Sequence, residues 1–239
     1  MPDREVSPQV RSHLIPPLQA LVALIEDHFA HQIQFREATL QRGAWGCATW
    51  GNNQPTVWLA RWDGDLSVVG HELLHLKRRV HGHPWIRSLW PSQKREYIAG
   101  DLYNLIDEVA FAPEFLQLGF DPRTCLEAIV RSNSAALEEY DEQCPAPSDD
   151  AERLVAVALA SVILRAPQTP SAPKFFRALD APQHVRAKGW GHALVEAVQK
   201  ADLGTPQGTA HLSKRCAEEI LRLEQDSYQL KYCPRVPRW

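Results

Sequence analysis

LSVVGHELLHLKRRVHGH, residues 66–83, holds the pattern His71-Glu72-Leu73-Leu74-His75 inside an apolar run. A helix turns about 100° per residue, so His71 and His75 stand about 40° apart and one turn up, close enough for both rings to reach one tetrahedral zinc. Glu72 then lies beside the ion rather than on it, placed to act as general base on a water whose pKa zinc lowers toward about 7. Leu66, Val68, Val69, Leu73, Leu74, Leu76 and Val80 surround the motif with apolar side chains, whereas a solvated helix face would be mostly charged. Charge returns only at Lys77-Arg78-Arg79, where cations suit a helix C-terminus, and Asp65 is placed to cap the N-terminus.

Through HELLH at 71–75 and the segment before it, the chain resembles the zincin metallopeptidases over roughly residues 30–120. In that family an upstream strand forms the edge on which substrate lies extended, and Thr56 to Arg61 reads as such a strand. The resemblance implies bound Zn2+, hydrolysis of a peptide bond with Glu72 as general base, and a peptide or protein as substrate.

Two zincin subclasses differ in the third ligand. The metzincin pattern HExxHxxGxxH would place it at His81, but Arg78 stands where the pattern has Gly, and the only Met, Met1, cannot form the Met turn of that subclass. If the helix runs through Arg78, His81 points about 80° away from His71. In gluzincin-like enzymes the third ligand is an acid on a second helix. Residues 96–118, EYIAGDLYNLIDEVAFAPEFLQL, have helical apolar spacing and carry Asn104, Asp107 and Glu108. Glu108 shares a face with Phe111 and Phe115, and an acid in a buried stripe needs a partner that zinc would provide. Glu108 is preferred for its longer reach, Asp107 is the second choice, and Asn104 is expected to orient a ligand. Ordinary solvated acids on a surface helix are the competing reading of these positions.

The rest of the chain sets the frame. At 239 residues with 44% hydrophobic content it can bury a large core, and a formal net charge of -3 shows no electrostatic footprint for nucleic acid. No run approaches the roughly 18 apolar residues of a membrane span, and the polar start MPDREVSPQVRSH does not read as a signal peptide, so a cytoplasmic location is expected. The five Cys are widely spaced, without a C-x-x-C pair, which speaks against a disulfide framework or a cysteine zinc site. Periodicity predicts one helix over residues 9–31, then strands at 32–37, 44–50 and 56–62 in a small antiparallel sheet. A loop follows the motif at 82–91, and DEQCPAPSDD, residues 141–150, reads as a linker. Beyond it come an apolar helix at 151–165, helices near 174–181, 189–201 and 206–226, and an irregular basic tail.

The expected fold class is therefore α+β and zincin-like: a small antiparallel sheet, the HExxH helix and a ligand helix, with a mostly helical C-terminal half. Residues 1–140 form the expected catalytic region and 151–239 the helical region. The alternative function is a zincin-shaped regulatory or partner-binding module without peptidase activity. Nothing in the sequence marks an oligomeric state.

Overall fold

The computed structural model describes residues 3–40, 44–51, 53–89, 93–122, 126–127, 129–131, 133–134, 137, 148–225 and 228–233. Mixed α/β and mostly helical, the chain divides into two compact units that do not follow the linear order. Unit 1 comprises Met1–His83, Phe111–Asp121 and Tyr232–Trp239, and unit 2 comprises Pro84–Ala110 and Pro122–Lys231. Of the expected linker, residues 141–147 lie outside the described residues, while Ser148 caps a helix that begins at Asp149.

Unit 1 begins with β1 (Arg4–Glu5), α1 (Ser7–His13) and α2 (Pro16–Phe29). The single helix expected over 9–31 is thus two, and the prolines account for the break. Pro16 disfavours helical geometry in the residue before it, and Leu14 and Ile15 are extended at ψ 124° and 157°. Pro16 itself opens α2, where its missing N–H costs nothing.

The sheet has the order β1-β2-β4-β3, with β2 (Gln34–Glu37), β3 (Gly46–Gly51) and β4 (Gln54–Leu59). It is mixed rather than antiparallel as expected, because β2 and β4 run parallel, Phe35 opposite Val57, with the β3–β4 hairpin folded onto the far side of β4. The hairpin turns between Gly51 and Gln54, where Asn53 takes φ 61°, a conformation its short polar side chain tolerates. The strand at Thr56 to Leu59 is interior, with Thr56, Val57 and Leu59 buried, and the edge is β3, whose residues alternate between half-buried and exposed.

Helix α3 (Leu66–Val80) carries the motif. Asp65 caps it as expected, its carboxylate accepting from the Ser67 N–H at 2.8 Å and from the Ser67 hydroxyl at 2.6 Å. The other end closes on Gly82 at φ 86°, with the His83 N–H donating to Arg78 O at 3.0 Å and the Gly82 N–H to Arg79 O at 2.9 Å. Two such bonds past a left-handed glycine form a Schellman stop, so α3 runs through Arg78 before it ends. Val69, Leu73, Leu74 and Leu76 are buried in the core of unit 1 with Leu18, Ile25, Phe35, Val57, Phe111 and Phe115.

Helix α4 (Gln93–Gln117) contains Pro113 and ends beside Gly119 at φ 89°. The division between the units passes through this continuous helix, whose last turns belong to unit 1. Unit 2 holds the first part of α4, then α5 (Asp149–Arg165), α6 (Ala172–Ala178), α7 (Val185–Gln199) and α8 (Pro206–Arg215), the last continued by a π turn at Cys216–Ile220. Two segments expected to be irregular pair instead: β5 (Trp85–Ser88), from the loop after the motif, lies antiparallel to β6 (Tyr228–Lys231), from the tail. Ile98, Leu102, Leu105, Ala156, Ala160, Leu194 and Leu212 form part of the core of this unit. No described helix is long and apolar enough to cross a membrane.

The cap gives a direct test of α3. Replacing Asp65 with Ala removes both acceptor contacts and should cost about 1 kcal/mol, lowering the thermal midpoint by about 2–4 °C in a melting experiment. An unchanged midpoint would show that α3 does not depend on its cap.

Candidate metal centre

The repeat of α3 brings two imidazoles together. His71 Nε2 and His75 Nε2 are 3.2 Å apart, near the edge of about 3.3–3.4 Å that bonds of about 2.0–2.1 Å give a tetrahedral zinc. Phe111 of α4 stands edge-on to both rings, with centroids 5.2 Å from His71 and 5.0 Å from His75, and Phe115 lies 6.1 Å from His71. These buried aromatic edges restrict rotation of the imidazoles and so hold their nitrogens at one place. Lys77 ties the same two helices, donating to Glu114 at 2.6 Å.

Glu108 lies one turn before Phe111 on α4, and one ligand atom from each of His71, His75 and Glu108 falls within 4.8 Å of the others. Two imidazole nitrogens and a carboxylate oxygen are the donor set that catalytic zinc takes when its fourth position stays open, so these residues fit that ion. Glu108 also forms an ion pair with Arg165, the last residue of α5, in which the two side chains are only 9% and 12% exposed. Arg165 Nη1 donates to Ser161 Oγ at 2.9 Å. Burial lowers the pKa of Arg165 to about 10, which leaves it charged at neutral pH.

The remaining sequence candidates stand elsewhere. Asp107 is fully buried, but it points about 100° round the helix from Glu108 and is not in the close group. Asn104 is exposed. His81 is the exposed cap residue of α3, outside the group, and its pKa is lowered by partial burial and by Lys77 and Arg78.

Glu72 faces strand β3. A Cβ on Gly46 would come within 2.7 Å of Glu72 Oε1 and 2.9 Å of Val68 Cγ1, so only glycine allows the strand this close to the carboxylate. Burial pushes the pKa of Glu72 up to about 8, while a hydrogen bond from the Ala48 backbone N–H pulls the other way. The contribution of β3 escaped the sequence reading, which placed the edge one strand later. Arg165 escaped it too, its only local trace being a cation at the end of the apolar run RLVAVALASVIL.

The raised pKa of Glu72 fixes the sign of a pH effect. Between the unfolded value near 4.5 and the folded value near 8 the native state binds the extra proton, so its stability falls as pH rises. In metal-free protein Glu72→Gln should match wild type below about pH 4.5 and exceed it increasingly up to about pH 8, by at most roughly 1.4 kcal/mol per pH unit. Denaturant midpoints across that range check it; a constant gap would refute the assignment. Comparison of the chain with family models, with curated proteins and with solved structures finds no match to any of them.

Proposed function

We propose that the protein is a zincin-like, zinc-dependent peptidase in which His71, His75 and Glu108 hold the ion and Glu72 is the general base. The observation that carries this reading is the close group of two imidazoles and one carboxylate, with a buried Glu next to the first His. Bound there, zinc would polarise a scissile carbonyl and lower the pKa of a water toward about 7. Glu72 takes the proton of the attacking water and returns it to the leaving amine. Its raised pKa suits that exchange, since a base matched to neutral pH both accepts and releases a proton readily. Strand β3 offers its outer edge to an extended peptide, which can add to the sheet by main-chain hydrogen bonds.

The ion pair of Glu108 with Arg165 favours a second reading, in which Glu108 is a structural charge partner and the chain is a binding module without peptidase activity.

Metal analysis separates the two. Purified wild-type protein supplied with zinc should retain about one ion per chain, as a single three-ligand site takes one. His71→Ala, His75→Ala and Glu108→Ala should lose it, while Asp107→Ala and His81→Ala keep it. Glu72→Gln should keep zinc yet hydrolyse a mixed peptide library at least about a hundredfold more slowly. Wild-type protein without zinc, or zinc retained in His71→Ala, would sink the peptidase reading.

A further inference from the structure

Outside the proposed ligand set, one charged side chain is built into the site's surroundings without a part in the chemistry. Arg165 ends α5, where a cation suits the helix dipole, and its Ser161 contact holds the guanidinium over the last turn. It is nearly covered, and its carboxylate partner is Glu108. Two buried charges of this kind lose their hydration, and the pair persists only when each satisfies the other. Glu108 thereby loses the freedom of a long, flexible side chain before any ion arrives.

We propose that Arg165 is a positioning residue for the metal: it orients the Glu108 carboxylate as the third ligand, and so sets the affinity of the site for zinc. The inference rests on the zinc reading given above. A guanidinium suits the task because its planar fork of donors can occupy part of a carboxylate and leave oxygen lone pairs to another partner. An ammonium would bind the same acid as a point charge with less control of direction. Outer contacts to metal ligands are worth about ten- to hundredfold in metal affinity. The opposing effect is repulsion between guanidinium and zinc, which the intervening carboxylate neutralises; the sign of the measured change decides between them.

The experiment is zinc affinity, measured by competition with a chromophoric chelator, for wild type, Arg165→Gln, Arg165→Lys, Ser161→Ala and His71→Ala. Each protein is first shown to be folded, without metal, by circular dichroism. Arg165→Gln should bind zinc about ten- to hundredfold more weakly, with Arg165→Lys recovering part of the loss. Ser161→Ala, which removes only the acceptor that steadies Arg165, should bind roughly threefold more weakly. A merely structural role would change the melting temperature without this graded order of affinities. A folded Arg165→Gln that binds zinc as tightly as wild type, or more tightly, overturns the proposal; should that variant not fold, unchanged affinity in Ser161→Ala does so. Absence of zinc binding by wild type, or wild-type affinity in His71→Ala, overturns the zinc reading itself and is distinguished from failure of the Arg165 assignment.

Discussion

The approach of helix α3 to strand β3, with no side chain between them at Gly46, is the constraint on which the site depends. It presses the Glu72 carboxylate against backbone, where exclusion of water raises its pKa against the opposing pull of one backbone N–H. A side chain at that position would displace Glu72 or the strand. The two imidazoles are arranged by the same helix, so one rigid element sets the spacing of the nitrogens and the depth of the base.

Glu72 in unit 1 and the Glu108–Arg165 pair in unit 2 are ionisable groups that solvent screens little, and the two cases resolve differently. Glu72 shifts toward the neutral form. Glu108 and Arg165 neutralise one another. Removing a single member of such a pair leaves an uncompensated charge, which costs far more than the pair itself contributes. Asp107 and Glu108 are therefore not interchangeable with solvated acids, and the competing reading of the two as surface residues does not describe either side chain.

What could be read from the sequence was local. The period of residues 66–80, the cap at Asp65 and the basic last turn identify α3, and the spacing from Glu108 to Phe111 and Phe115 marks the buried face of α4. Pro16-Pro17 falls inside the single helix expected over 9–31, and its effect on Leu14 and Ile15 cuts that periodicity in two. Sheet order was not legible, because the parallel pairing of β2 with β4 skips the intervening strand and hairpin signals describe only neighbours. Arg165 was hidden for the same reason: its partner lies far back along the chain.

The pairing of β5 with β6 has a kinetic meaning. Trp85 is opposite Lys231 and Ser88 opposite Tyr228, so the ladder joins residues from the two ends of unit 2. Closure entropy grows only slowly with loop length, by about 0.6 kcal/mol per doubling, but the contact still has to wait until the segments meet. On a ribosome it cannot form before residues 228–231 have been synthesised, whereas α3 and its neighbours in residues 4–80 are complete much earlier. The motif helix can thus be in place while this second sheet is still a single strand awaiting its mate.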